Sequence, residues 1–445
     1  VFLIRSHAQT ARIRRALSTI LLLFAGVSVA DAAPIDSGDT AWILTSTALV
    51  LFMTIPALAL FYGGLVRTKN VLSILMQCLI LTAILSIVWV AFGYSLAFDT
   101  TGMVEGEKGL NAFIGGTSKF MLNGVGPDAV NGPIPEVLFV AFQMTFAVIT
   151  PALMIGAFAE RMKFTAIVLF SVIWLFVVYI PVCHMTWGGP GGYFADMGVI
   201  DHAGGIVVHV TAGFAALVAC MFVGKRSGYP SQIEPPHNLT MTVTGTAMLW
   251  VGWFGFNAGS NLGASGGAAM TLLVTHISAS VATLVWMGVE WMKTGKPGVL
   301  GAATGAIAGL AAITPASGCV GPLGAMCIGA ASGLVCFFFS TAIKSKFGYD
   351  DSLDVFGVHG IGGFLGTVLA GVFGATQLGG FGGFTDIGRQ VFIQFSAAAG
   401  VGVYAIVASL VILLVLKLLV GVRINVDGET EGIDMYEHSE RGYNL

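Results

Sequence analysis

The sequence predicts an all-α integral membrane protein of eleven transmembrane helices, built as two inverted five-helix halves plus a C-terminal helix. Three observations predict it. Of 445 residues, 56% are hydrophobic and only 10% charged, where ordinary globular chains carry about 25% charged residues. The mean hydropathy is +0.87, and apolar runs of about 20 residues recur, the length that crosses a bilayer. Lys and Arg, finally, cluster in alternate loops. The net charge of −3 comes with no basic patch, so nothing points to nucleic acid. The 61 glycines fit membrane helices whose backbones approach closely through small residues.

The chain opens on a targeting segment. Arg12, Arg14 and Arg15 precede an apolar run from Ala16 to Val29, and Ala30-Asp31-Ala32 follows as a small-x-small cleavage signal. Residues 1–32 read as a signal peptide cut at or near Ala32, which leaves the mature N-terminus outside. An uncleaved extra helix is the alternative, although the run is short for a span.

The spans are read at roughly 42–65, 71–98, 134–158, 164–187, 203–224, 240–260, 268–292, 299–315, 321–343, 353–375 and 390–420. Starting outside, eleven spans place the C-terminus inside. The inner loops then hold Arg67, Lys69, Arg161, Lys163, Lys225, Arg226, Lys293, Lys296, Lys344, Lys346, Lys417 and Arg423. The outer loops hold only Lys108, Lys119 and Arg389. One helix more or fewer would scramble that alternation. The divisions are a first half over 33–224, a cytoplasmic linker over 225–238, a second half over 239–376, an eleventh helix over 389–421 and a cytoplasmic tail over 422–445. The tail carries Asp427, Glu429, Glu431, Asp434, Glu437 and Glu440; it reads as a solvated acidic arm or as a docking arm. Cys78, Cys183, Cys220, Cys319, Cys327 and Cys336 are scattered without a CxxC pair and read as small core hydrophobes.

An ionisable residue inside a span is a functional hypothesis by default. His209, in GGIVVHVTAG, lies in the fifth span, and His359, in DVFGVHGIGG, in the tenth. Asp201 precedes His209 by about 12 Å of helix rise, and Asp354 precedes His359 by about 7.5 Å. Five spans separate the two histidines, an odd number, so their helices run in opposite directions. Inverted repeats of this kind place a site near the midplane, where the halves meet. Each histidine alone could be a hydrogen-bonded packing residue. Two facing histidines could also ligate haem iron, but no CxxCH and no carboxylate–histidine cluster supports that. His184, His202 and His237 lie near helix ends or in a loop, within reach of water, and His276 reads as packing.

Aromatics form a second constellation. Phe142 and Phe146 lie one turn apart on one helix face. Trp187 ends the fourth span; Trp253, Phe254 and Phe256 precede Ser260 near the end of the sixth. They read as an interfacial aromatic belt or as a cation-π vestibule with a hydroxyl acceptor.

These residues carry a resemblance. The chain resembles the Amt/Mep/Rh ammonium transporter family, in its bacterial Amt branch, through FYGGLVRTKNVLS at 61–73, GAFAERMKF at 156–164, HMTWGG at 184–189 and DHAGGIVVH at 201–209. PHNL at 236–239, GWFGFNAGS at 252–260, GAIAGLAAITPA at 305–316 and DVFGVHG at 354–360 continue it. The resemblance implies a homotrimer in the bacterial cytoplasmic (inner) membrane, with one narrow hydrophobic pore per subunit. It implies an external ammonium recruitment site of Trp187, Phe146 and Ser260, with Asp201 as the buried acid beside it. Phe146 and Phe256 would form a stacked gate, His209 and His359 the twin histidines of the pore. Asp354 would be the structural acid at the start of the second histidine helix. Neither a metal nor a cofactor is implied, and no enzyme activity. A PII-type signal protein is an implied partner on the cytoplasmic face. The tail, EGIDMYEHSERGYNL, departs from the family pattern at Ser439 and Gly442, where Gly and Ala are usual.

These residue types suit ammonia. Taking a small cation dry into low dielectric carries an idealised cost of order 20 kcal/mol. Removing its proton at pH 7 costs roughly 3–4 kcal/mol for a pKa of about 9–10. Neutral ammonia is therefore the species for an apolar pore, although ammonium is the species outside. Aromatic faces attract the cation by roughly 0.5–2 kcal/mol. A hydroxyl can accept an N–H that sodium or potassium lacks. A neutral imidazole offers one donor and one acceptor; a carboxylate there would trap the cation. The other functions left open are an ammonium sensor and a channel for another small neutral solute.

Overall fold

The computed structural model of the chain describes residues 35–232 and 234–444, so the signal-peptide reading of 1–32 lies outside the described residues. Apart from a two-residue ribbon pairing Val130–Asn131 with Ile134–Pro135, the described residues form helices and loops. Among the described residues, nine helices are long and apolar enough to cross a membrane: α1 (Ser37–Leu65), α2 (Thr68–Phe98), α3 (Glu136–Phe158), α4 (Phe164–Trp187), α5 (Gly205–Val223), α7 (Gly266–Thr294), α9 (Pro322–Phe347), α10 (Phe356–Phe373) and α11 (Ile387–Leu419). Two more lie where spans were expected, α6 (Leu239–Gly259) and the 15-residue α8 (Val299–Ile313).

Several helices begin before the apolar run that marks them, because a polar cap sets the start. Asp36 accepts the Asp39 N–H at 2.8 Å, Asn238 the Met241 N–H at 2.9 Å, and Asp386 the Arg389 N–H at 2.9 Å. Each side chain satisfies a donor that the helix start leaves unpaired. At the other end of α7, Gly295 takes φ 80° and closes the helix.

The outer ring and the centre differ in what they bury. Of the most apolar stretch of α3, 89% is buried, and its neighbours are α1, α2 and α5. By contrast α2, α7, α9 and α11 turn Leu79, Leu284, Phe338 and Phe392 outward, the surface a lipid-facing helix presents. α11 packs along both α5 and α10.

α5 and α10 cross in opposite senses. Facing positions run 205 with 367, 209 with 363 and 213 with 360. The crossing is close because glycine stands at each contact: a Cβ on Gly213 would lie 2.1 Å from the Gly360 nitrogen, and one on Gly363 would lie 2.5 Å from the His209 Cβ. Both helices begin with wider, π-type turns that carry the histidines, and in α5 the His209 N–H reaches back to the Gly204 carbonyl at 2.9 Å. Wide turns of this kind recur at functional positions.

At the end of the bundle opposite the 99–133 loop, charges are paired within the chain. Glu160 accepts from Arg67 at 3.0 Å and from Arg226 at 3.2 Å, and Arg226 also holds Asp350 at 2.8 Å. The tail forms two short helices, α12 (Val426–Glu431) and α13 (Ile433–His438), and it lies against the starts of α2 and α4. Asp434 accepts the N–H groups of Leu72 at 3.0 Å and Ser73 at 2.8 Å. Glu437 accepts the Phe164 N–H at 2.7 Å. The His237 imidazole lies 3.0 Å from the Tyr443 hydroxyl. The tail thus rests on the chain's own helices. Losing a capping side chain costs about 0.5–2 kcal/mol. Asp434→Ala is therefore expected to speed amide hydrogen exchange over 433–439 by about 2- to 30-fold. Unchanged exchange there would show that the carboxylate does not hold the tail.

Candidate functional site

Two cavities lie in line along the axis that α3, α5, α6 and α10 surround. The wider one opens beside the 99–133 loop and holds about 440 Å³. Phe146, Trp187, Gln143, Ser260 and His202 line it, together with Tyr94, Lys119 and Glu136. Trp187, Phe146 and Ser260, the three expected recruitment residues, thus share one cavity. The Trp187 ring meets the Phe146 ring edge-on at 5.8 Å. Ser260 donates its hydroxyl to the Phe256 carbonyl at 2.8 Å, which leaves its oxygen lone pairs free to accept.

Asp201 is not among the lining residues; it builds the wall. Its carboxylate accepts the N–H groups of Gly204 at 2.9 Å, Gly205 at 2.6 Å, Ile206 at 2.8 Å and Val207 at 3.0 Å. These are the donors that the start of α5 would otherwise leave unpaired. Burial pushes the Asp201 carboxyl up, and the four N–H donors oppose it. Its main-chain carbonyl accepts the Trp187 indole N–H at 2.8 Å, which sets the ring's direction.

Below the wide cavity, Phe146 and Phe256 close the axis. Their centroids are 4.4 Å apart, with planes tilted by 42°, so the pair is tilted where parallel stacking was expected. Phe142, one turn above Phe146, supports it edge-on at 5.0 Å.

Beyond the pair lies a space of about 10 Å³, lined by Ile149, Leu153, Val208, Leu249, Trp253, Ile307 and both histidines among others. One water-sized molecule needs about 10–15 Å³. The His209 and His359 Nδ1 atoms are 3.3 Å apart, and the rings lie nearly parallel at 20°. One Nδ1 must donate and the other accept. The donor's Nε2 is then an acceptor, and the acceptor's Nε2 carries the remaining proton. The His209 Nε2 is buried without a protein partner. The Trp253 N–H, the other polar group nearby, is taken by the Thr314 hydroxyl at 2.9 Å.

The structure also corrects the pairing of acids with histidines. Asp351, not Asp354, stands where Asp201 stands: eight residues before its histidine and fully buried. It accepts the Phe356 N–H at 2.7 Å at the start of α10, and burial pushes its carboxyl up to about 6. Asp354 is half-buried, takes φ 60° and pairs with Lys344 at 2.6 Å. Equal eight-residue spacing was the signal available in the sequence. His184 is another correction. It is fully buried, with its ring nitrogens 2.8 Å from the Ala97 and Asn111 carbonyls, to one of which a neutral imidazole donates its single N–H. His202 lies 3.0 Å from the Asn257 carbonyl, and burial pushes its imidazole down to about 4, so it is neutral at pH 7. His276 does have a partner, the Trp250 indole at 3.2 Å. Gln143 went unread, although it lies three residues from Phe146 on the same helix face; its buried Oε1 has no protein partner.

A similar arrangement of helices and similar sequences occur in known proteins. The profile of the Ammonium Transporter Family matches residues 41–443. An ammonium transporter of Aquifex aeolicus is 43% identical over 432 residues, 96% of this chain and 99% of that one. An ammonium transporter of Bacillus subtilis is 44% identical over 411 residues, 91% of this chain and 98% of that one. The crystal structure of Saccharomyces cerevisiae Mep2 superposes with a TM-score of 0.79 at 31% identity, covering 88% of each chain. With 41–443 matched and identities above 40% over nearly its whole length, the chain is a member of the ammonium transporter family.

Proposed function

We propose that this protein recruits ammonium at an external cation-π site, strips its proton and conducts ammonia through the apolar passage that His209 and His359 line. In this reading all eleven helices cross the membrane as two inverted halves and a C-terminal helix, with the 99–133 loop outside and the tail inside. The observation that carries it is the small space behind Phe146 and Phe256. It has the size of one ammonia, apolar walls, and polarity supplied by two coupled imidazoles.

Ammonium reaches Trp187 and Phe146 as a cation and can donate N–H groups to Ser260 and to the unpartnered Gln143 oxygen. A hydrated sodium or potassium ion has no N–H to offer and cannot shed a proton, so the aromatic pair and the dry passage reject it. Ammonia continues, exchanging hydrogen bonds with the free Nε2 atoms. A homotrimer in a bacterial cytoplasmic membrane and a PII-type partner on the inner face complete the reading suggested by the family.

The test is an ammonium jump on proteoliposomes of the purified protein, recording current and lumen pH, with a potassium jump as control. Alkalinisation without current means ammonia crosses alone; current with ammonium only means a proton follows it. His209→Ala and His359→Ala are each expected to lower flux by about fivefold, the worth of one hydrogen bond of about 1 kcal/mol, or to let potassium current through. Unchanged flux and unchanged ion discrimination in both variants would remove the histidines from the mechanism. Ammonium sensing is the second reading, because a protein described as a Sensor Amt Protein shares the fold with a TM-score of 0.83 at 26% identity. Correctly inserted protein that gives neither signal would favour it.

A further inference from the structure

The wall of the wide cavity holds a feature that the recruitment of ammonium by aromatics does not use. Glu136, the first residue of α3, and Lys119, from the 99–133 loop, both face this cavity and pair with each other. The Tyr94 hydroxyl donates to the same carboxylate oxygen at 2.6 Å, and the Lys119 Nζ lies 5.7 Å from the Tyr94 ring centroid. A carboxylate, oriented by the Tyr94 hydroxyl, and an aromatic ring therefore face an ammonium group, and that group is the chain's own.

Only the lysine side chain is free to leave. The Lys119 N–H is tied to the Ser95 hydroxyl at 3.0 Å. The preceding residue, Ser118, is held through its N–H at 2.8 Å and its hydroxyl at 2.6 Å by Asp99. Burial alone pushes the Asp99 carboxyl up, but hydrogen bonds from Ser118 and Thr101 bring it down to about 2, so this anchor stays charged at any physiological pH. The lysine side chain is 30% exposed against 11% for the glutamate, so the cation is the more accessible partner of the two.

We propose that Glu136 is an outer subsite for small ammonium cations and that Lys119 is its tethered occupant, displaced when ammonium is abundant. The inference rests on the external recruitment of ammonium proposed above. A group tethered by a short flexible linker competes at an effective concentration in the millimolar range. Dilute ammonium therefore meets a neutral mouth and a filled subsite; concentrated ammonium displaces the lysine and meets a carboxylate that draws it toward Phe146. The pair thus sets the concentration at which the protein takes up ammonium and does not alter the passage behind the aromatic pair.

Two measurements test this. The first is flux in proteoliposomes against ammonium concentration. Lys119→Gln is expected to lower the half-saturating concentration by about fivefold, the effect of one uncompensated charge about 4 Å away in water. That gain should shrink as ionic strength rises toward 1 M. Adding Glu136→Gln to Lys119→Gln should remove the gain, and Glu136→Gln alone, which leaves the lysine unpaired in the mouth, should raise the half-saturating concentration. The second is equilibrium dialysis of radiolabelled methylammonium against detergent-purified protein, which reads occupancy without conduction. If the parent protein carries no ammonium, the transport reading fails while dialysis still decides the subsite. If the parent conducts but Lys119→Gln, folded as judged by its thermal unfolding, shows the same or a higher half-saturating concentration and no tighter binding, the subsite is overturned.

Discussion

Gly213→Val is expected to yield a protein that conducts no ammonia and unfolds well below the parent's temperature. The reason is the closeness of α5 and α10. The first added carbon would lie 2.1 Å from the Gly360 nitrogen, 2.2 Å from its Cα and 3.0 Å from the His359 carbonyl carbon. These are backbone atoms, so no rotamer change relieves the overlap. Carbon atoms rest at about 3.5–4.0 Å, so the helices would have to part by about 1 Å or more. Overpacking a core costs about 1–3 kcal/mol and sometimes more, and here strain falls next to the Nδ1–Nδ1 contact of 3.3 Å. That bond would open before the helices separated enough. Gly213→Ala should show the same defect in milder form. Gly288→Ala is the control, because nothing lies within 4 Å of a Cβ there. Thermal unfolding in detergent, with flux in proteoliposomes, checks it. Parent-like values for Gly213→Val would mean that the crossing is looser than the structure has it.

Gly213 also shows what a sequence of this kind makes legible. The helices could be located because a bilayer demands long apolar runs, and the histidines stood out because a polar side chain in such a run needs a reason. The aromatic residues could be listed but not placed: Phe146 and Phe256 are on α3 and α6, and only the packing of those helices brings them to 4.4 Å. Helix starts were read late wherever a cap such as Asp36 precedes the apolar run. Glycine was counted as a packing signal in bulk, yet the crossing depends on particular ones. Asp354 belongs to the DVFGVHG run and lies nearer to His359 along the chain than Asp351 does. Burial separates them: one sits with its N–H donor in the protein, the other reaches a lysine at the edge. Short-range polar chemistry of this sort depends on where the backbone turns, which hydropathy does not encode.

Asp201→Asn is expected to lower flux to the background of empty liposomes and to lower the unfolding temperature. Both carboxylate oxygens are in use: one accepts from Gly204 and Gly205, the other from Ile206 and Val207. An amide keeps one acceptor and turns the second into a donor, which would face two N–H groups. Each buried donor left without an acceptor costs about 1–3 kcal/mol, and the loss of negative charge at the helix start adds about 0.3–1 kcal/mol. The first turn of α5 would then have to shift or unwind. Two consequences follow on opposite sides of that turn. The Asp201 carbonyl, which holds the Trp187 indole at 2.8 Å, moves with it, so the wide cavity loses its aromatic wall. His209, within the π-type segment that the carboxylate starts, loses its register against His359. A variant that merely lost a recruiting charge would conduct normally at saturating ammonium, whereas a displaced histidine keeps maximal flux low at any concentration. Flux measured up to saturation therefore separates the two. Full maximal flux with only a raised half-saturating concentration would return Asp201 to the role of an electrostatic attractor and remove it as the support of both Trp187 and His209.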